Sequence, residues 1–250
     1  MRVSIAQTRR FGAAAEAVQW LLSRVSPADL LVLPEYWLGV EPLSWEEFEA
    51  LIRELRRLAE AVGGYVVGGG VAVSLGGEVK NICPVVSPEG LVKWGEKIFP
   101  SAATGERLRV SKGRRLTIFN AAGWKVGCLI CVDLLYPELA RRLALAGAEV
   151  IVNPASITAD RAPLWKALGL VRAFENSVYV AAALGTGYNY ADGRRAEGGS
   201  FIASPNGALL DFGAEEGVYT AELDKQEIEY ARTRRRYLED VETPPQVSVD

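Results

Sequence analysis

Histidine is missing from all 250 residues of the chain. Its absence removes Ser-His-Asp and Cys-His catalysis. It also argues against zinc, because the three cysteines present would have to supply most of a tetrahedral site alone. No metal centre is expected, and any general base has to be a carboxylate, a lysine or a tyrosine. A basic excess is missing as well. With 28 Lys and Arg against 31 Asp and Glu, the net charge is −3, which argues against nucleic acid as a partner. No apolar run approaches a membrane span, so no membrane partner is expected. The opening residues MRVSIAQT are too short and too alternating for a signal peptide. An odd cysteine count without a secretory signal does not suggest a disulfide framework, and the chain reads as soluble and cytoplasmic. The single Met, the scarcity of Gln and Asn, and the excess of Arg over Lys fit a thermophilic source, although a GC-rich genome gives part of the same bias.

What is present is an ordinary globular balance, 49% hydrophobic and 24% charged. Strand-like and helix-like segments alternate. Residues 2–6 place Val3 and Ile5 on one face, residues 13–22 suit a helix, and 30–33 form the short apolar run of a strand buried on both faces. Residues 44–62 carry the clearest helical period, with a Ser44/Glu47 capping box and Trp45, Phe48, Leu51, Ile52, Leu55, Leu58, Ala59 and Val62 on one side. Further strands are expected at 65–73, 79–86, 91–99, 116–119 and 124–130. A helix should start at Pro137 and stop at Gly147. A strand at 150–152 is followed by a helix over 161–176 that Asp160 would cap. Strands at 178–184, 200–203 and 218–223 precede a last helix over 224–236 and an extended tail from about residue 238. Nothing resembling a linker divides the chain, so one domain spans 1–250, an α/β fold of sheet layers covered by helices.

Cys131 lies at the end of a strand and just before a helix, in Gly127-Cys128-Leu129-Ile130-Cys131-Val132-Asp133. Such a turn exposes the side chain at its apex and aims backbone N–H groups toward it, which should lower the thiol pKa. Cys128 forms a C-x-x-C with Cys131, but positions i and i+3 of a strand face opposite sides, so the pair does not converge. Cys83 and Cys128 read as core. Glu35 follows the buried run 30–34, where open α/β sheets gather functional groups, and a shielded carboxylate there can take a thiol proton. Lys97 ends a strand and would supply positive charge to a developing oxyanion. Glu106 is a loop acid. Arg172 and Glu175, three apart on a helix, read as a bracing pair. Gly68-Gly69-Gly70 lacks the Lys-Ser/Thr of a phosphate loop. The basic cluster Arg232, Arg234, Arg235 and Arg236 reads as the polar C-terminal end of a helix.

Taken singly, each of these residues has a plainer reading. Together, the order Pro34-Glu35, Lys97, then Ile130-Cys131-Val132-Asp133 with Tyr136-Pro137-Glu138 resembles the nitrilase-like carbon–nitrogen hydrolases. Asn153-Pro154-Ala155-Ser156, Trp165, Arg172-Ala173-Phe174-Glu175-Asn176 and residues 199–207 are similar to later landmarks of that family. One departure is visible: Ile98 follows the lysine where the family often has His. The resemblance implies a four-layer α-β-β-α sandwich with its sheets packed face to face, two copies of which stack through their helices into a homodimer or higher homo-oligomer. It implies a Glu35-Lys97-Cys131 triad with Glu106 beside it, the Val132 N–H as an oxyanion donor, and Tyr36, Asn153 and Ser156 near the substrate. No cofactor is implied. The expected substrate is a small amide, with a nitrile, an N-carbamoyl compound or acyl transfer as alternatives on the same triad. From a different class, a binding or regulatory subunit with an unused site remains an alternative.

Overall fold

The computed structural model describes residues 1–242. Strands β1 (Arg2–Gln7), β2 (Leu30–Val32) and β3 (Tyr65–Val67) lie parallel, with α1 (Ala14–Leu22) and α2 (Trp45–Val62) as their crossovers. β4 (Val71–Leu75), β5 (Glu78–Ser87) and β6 (Gly90–Glu96) follow, and β5 pairs antiparallel with β3, β4 and β6. The second sheet repeats the plan. β7 (Thr117–Ala121) pairs antiparallel with β8 (Trp124–Cys128), and β8 lies parallel to β9 (Val150–Ala155) and β10 (Tyr179–Leu184) through α3 (Pro137–Leu145) and α4 (Ala162–Asn176). A two-stranded ribbon of β11 (Thr186–Asn189) and β12 (Arg195–Glu197) stands apart. β13 (Phe201–Ala203) and β14 (Leu209–Asp211) then complete the second sheet. β15 (Gly217–Glu222) returns to the first sheet beside β1, and α5 (Lys225–Arg235) and α6 (Tyr237–Glu242) close the described chain.

The period-two alternation of each strand sorts its residues between two cores. Val3, Ile5, Leu30, Val32, Val67, Cys83 and Val85 belong to the cluster that also holds Val126, Cys128, Val150 and Val152 of the opposing sheet. Leu31, Leu33, Val66, Ile82 and Val86 turn the other way and pack with Leu21, Leu51, Leu55 and Leu58 of α1 and α2. Full burial of each such aliphatic side chain is worth about 1.5–3 kcal/mol. The result is an α-β-β-α sandwich, in which the first sheet is covered by α1 and α2 and the second packs with α3 and α4. Cys83 and Cys128 meet across the two sheets, their sulfurs 3.0 Å apart as free thiols, so Cys128 faces away from Cys131 as the strand geometry requires.

The capping box of α2 is present: Ser44 Oγ accepts the Glu47 N–H at 3.2 Å, and Glu47 accepts the Ser44 N–H at 2.7 Å. Other expectations need correction. The strand expected over 65–73 is broken at the three glycines, and those expected at 91–99 and 124–130 stop at Glu96 and Cys128. Asp160 does not cap α4. Residues 159–161 form a 3₁₀ turn that runs into the helix, and the residue at the cap is Arg161. The extended tail expected from residue 238 begins instead as α6, where Arg236 and Glu239 pair across one turn. Residues 243–250, the rest of that expected tail, lie outside the described residues.

Candidate active site

Four buried side chains, three from just past strand ends and one from a loop, converge at one edge of the sandwich. Glu35 comes three residues after β2, Lys97 follows β6 directly, Glu106 opens a short 3₁₀ turn, and Cys131 opens another just past β8. None is more than 4% exposed, which for a lysine and two glutamates is tenable only if they neutralise one another. They do. Lys97 Nζ donates to Glu35 Oε1 at 2.7 Å and to Glu106 Oε2 at 2.6 Å.

The backbone around each residue is built to hold it. Tyr36 takes a left-handed φ of 56°, so the chain turns sharply after Glu35. The three glycines after β3 let that turn approach: a Cβ on Gly69 would lie 2.0 Å from Pro34 O, and one on Gly70 would lie 2.9 Å from Glu35 Cγ. The triplet therefore serves close packing against Glu35. Cys131 also has a left-handed φ, 48°, costly for a residue with a Cβ and found where surrounding contacts enforce it. Those contacts are visible. Asn153 Nδ2 donates to Leu129 O at 2.7 Å and to Cys131 O at 3.2 Å, while Asn153 Oδ1 accepts Trp165 Nε1–H at 2.9 Å. Asp133 accepts the N–H groups of Ile98 and Phe99 at 2.8 and 2.9 Å, tying the segment after Lys97 to the turn after Cys131.

The residues expected near the substrate divide. Asn153 is fully buried, and its Nδ2 and Oδ1 are taken within the protein, so it braces the turn instead of facing a ligand. The Tyr36 hydroxyl donates to Glu106 Oε1 at 2.6 Å, which makes it a support for that carboxylate. Val132 is partly buried beside Cys131, in the first turn of the 3₁₀ segment Cys131–Leu135. Ser156 stands against Cys131: its carbonyl accepts the thiol at 3.6 Å, and its hydroxyl meets those of Tyr188 and Tyr190 at 2.6 Å each. Asn81 was missed. It donates to Glu35 Oε1 at 2.9 Å and to Glu106 Oε1 at 3.1 Å from the middle of β5. An asparagine opening the apolar run of residues 82–86 was the signal that could have found it.

The two carboxylates are driven apart. Burial pushes Glu35 above the ordinary glutamate range, and the Glu106 charge adds to this while Lys97 offsets only part. Burial raises Glu106 too, but the Lys97 charge and the donors from Lys97, Tyr36 and Ser101 outweigh it and hold this carboxyl below its usual value. Burial works against the Lys97 charge, yet Glu35, Cys131 and Glu106 raise its pKa well above that of an ordinary lysine. For Cys131 the expected lowering is overturned: burial and then Glu35 push the thiol well up, and Lys97 does not cancel them. A neutral thiol beside a proton-seeking carboxylate needs that carboxylate as its base. Glu35 is the carboxylate whose charge acts on the Cys131 thiol, which in this structure donates to Ser156 O at 3.6 Å. Among the described residues no three His, Cys, Asp or Glu side chains cluster to hold a metal ion.

Lys97→Met tests the electrostatic core of the site. At neutral pH it leaves two buried carboxylates without their cation, an expected loss of about 3–5 kcal/mol. The gap should narrow on acidification. Wild-type stability from the depressed Glu106 is present above pH 4.5 and lost as pH falls below it, whereas the variant's uncompensated carboxylates are relieved by protonation. Urea denaturation at pH 8 and at pH 4, below the ordinary glutamate value of 4.5, measures both, and a gap that stays constant or widens on acidification contradicts the assignment.

Comparisons with known proteins give the family and the fold. The family model described as carbon-nitrogen hydrolase matches residues 3–233. A 2-oxoglutaramate amidase of Bacillus subtilis is 34% identical over 222 residues, covering 86% of this chain and 85% of that protein. A nitrilase of Pyrococcus abyssi is 36% identical over 173 residues, covering 68% of this chain and 63% of its own. Among solved structures, a Xanthomonas campestris protein of the CN-hydrolase superfamily shares the fold with a TM-score of 0.84 at 22% identity, covering 100% of this chain and 99% of that one. The chain belongs to the carbon–nitrogen hydrolase family.

Proposed function

We propose that this carbon–nitrogen hydrolase is an amidase that acts through Cys131. The observation that carries the reading is the convergence of Cys131, Lys97, Glu35 and Glu106 in one dry cluster. Glu35 takes the thiol proton and the sulfur attacks the amide carbonyl carbon. The oxyanion that forms is held by Lys97 and by the N–H of Val132 in the first turn of the 3₁₀ segment. An ammonium has three N–H donors, and Lys97 uses two on the carboxylates, so one remains for the oxyanion. The carbon–nitrogen bond breaks, the amine leaves with the proton from Glu35, and a thioester remains on Cys131. Glu35 next deprotonates water, which displaces the sulfur, and the thiol regains its proton. Glu106 stays ionised and fixes Lys97. No cofactor takes part.

The acyl-transfer and nitrile alternatives share the triad. Val132-Asp133 after the nucleophile, where typical nitrilases carry Trp-Glu, favours amides, and the Bacillus subtilis relative is named for an amide substrate. The same reading places the chain in the cytoplasm; among the described residues no helix is long and apolar enough to cross a membrane. It also pairs two copies through their helices. Leu164, Val171 and Phe174 are exposed on α4, spaced seven and three apart and so on one side of that helix. Sedimentation of a monomer at micromolar concentration contradicts the dimer.

The function is tested with matched amides and nitriles of the same acyl group. Cys131→Ala should fold and lose essentially all ammonia release, Cys128→Ser should keep most of it, and intact mass should show an acyl adduct on Cys131 during turnover. Equal losses in the two cysteine variants contradict the nucleophile assignment. Faster nitrile than amide turnover across the panel contradicts the amidase reading.

A further inference from the structure

Arg10 is left unused by the chemistry above. Its segment joins β1 to α1 and is pinned on both sides. Thr8 O accepts the N–H of Thr186 at the start of β11, at 2.9 Å, and the Phe11 N–H donates to Trp37 O, one residue past Tyr36, at 2.8 Å. Arg10 thus lies between the β11–β12 ribbon and the turn that carries Glu35. Its guanidinium carbon is 4.0 Å from the centre of the Tyr188 ring and 5.8 Å from that of Tyr190. Both phenol hydroxyls rest on Ser156, whose carbonyl touches the nucleophile. Tyr188, then Ser156 through its hydroxyl and its backbone carbonyl, connect Arg10 to Cys131.

The neighbouring arginines are employed differently. Arg9 pairs with Glu216 at 3.0 Å and with Glu16 at 3.7 Å. Arg10 has no ion pair among the described residues, and its Nε is buried without an acceptor. A buried guanidinium N–H without a partner is costly unless a ligand supplies one. The surroundings add hydroxyl donors and no ion-pair partner for Arg10 among the described residues. Ser156, Tyr188 and Tyr190 hold three hydroxyl protons, and their two mutual contacts use only two. Thr8, two residues before Arg10, is buried and its hydroxyl also lacks a partner. Stacked on an aromatic face, a guanidinium keeps its edge free, the geometry that grips a carboxylate with two parallel bonds.

We propose that Arg10, with the Ser156–Tyr188–Tyr190 hydroxyls, forms a subsite for a carboxylate on the acyl part of the substrate. The preferred substrates are then half-amides of short dicarboxylic acids, with the amide at Cys131 and the carboxylate at Arg10. This rests on the amidase reading and sharpens it to an anionic substrate class.

Two measurements separate the subsite from that reading. In kinetics, a half-amide such as glutaramate is compared with the neutral alkyl amide of equal length. Wild type should favour the half-amide, and Arg10→Gln should lower the ratio of the two kcat/KM values by about tenfold or more. Arg10→Lys, which keeps charge but loses the planar fork, should fall between them, and it covers the case of a misfolded Gln variant. In binding, glutarate is titrated into Cys131→Ala, which needs no turnover, and should bind at least about tenfold more weakly once Arg10→Gln is added. Arg10-dependent glutarate binding without amide turnover upholds the subsite and overturns the amidase reading. Amide turnover with a ratio indifferent to Arg10, or glutarate binding that Arg10 does not affect, overturns the subsite and leaves the amidase reading standing.

Discussion

Lys97 holds its ammonium 2.7 Å from Glu35 and 2.6 Å from Glu106 in a place that water barely reaches. An isolated buried ammonium or carboxylate would shed its charge. Three together can keep theirs only at close range and with every remaining lone pair answered. That condition explains residues that otherwise look unrelated. Tyr36 and Ser101 donate to Glu106, Asn81 bridges the two carboxylates, and Gly69 and Gly70 let the Glu35 turn close against β5. The carboxylates then differ in kind: Glu106 is held ionised by its donors, while Glu35, with fewer, is left seeking a proton. Such a pair, pushed apart by environment, is how two like groups take different roles at one pH.

The fold supplies the convergence cheaply. Two similar parallel halves, each a set of strands joined by helices, bring their strand ends to a shared edge. Glu35 and Lys97 come from the first sheet and Cys131 from the second, so the thiol and the proposed base sit on opposite sides of the sheet interface. Asp133 spans that gap by accepting two amides from the Lys97 segment, and Asn153 fixes the strained backbone at Cys131. Both are ordinary polar residues whose value is positional.

Much of this was legible in the chain. The absence of histidine restricted the base, and strand ends marked Glu35, Lys97 and Cys131. Alternation along residues 2–6 put Val3 and Ile5 on one face, and both lie in the core between the two sheets. What escaped depends on contacts far apart in sequence. Asn153 looked like a pocket residue and proves to be a brace, because Trp165 and two carbonyls occupy it. The thiol of Cys131 was expected to be acidified by the turn's N–H groups, but burial and the Glu35 charge dominate in so dry a site. The β11–β12 ribbon was invisible because residues 186–197 are polar and Gly-rich, without the apolar alternation that marks a core strand.

The division of labour between the carboxylates is the centre of this picture, and carboxyl carbon NMR of glutamate-labelled protein reads it directly. Signals of Glu35 and Glu106, assigned through their Gln variants, would be followed as pH is lowered. The predicted result is that Glu35 takes up its proton at a pH above the ordinary glutamate value of 4.5 while Glu106 remains ionised below it. If Glu106 titrates first, or both titrate together at the ordinary value, Glu35 is not the proton-seeking member and the assignment of base and anchor is wrong.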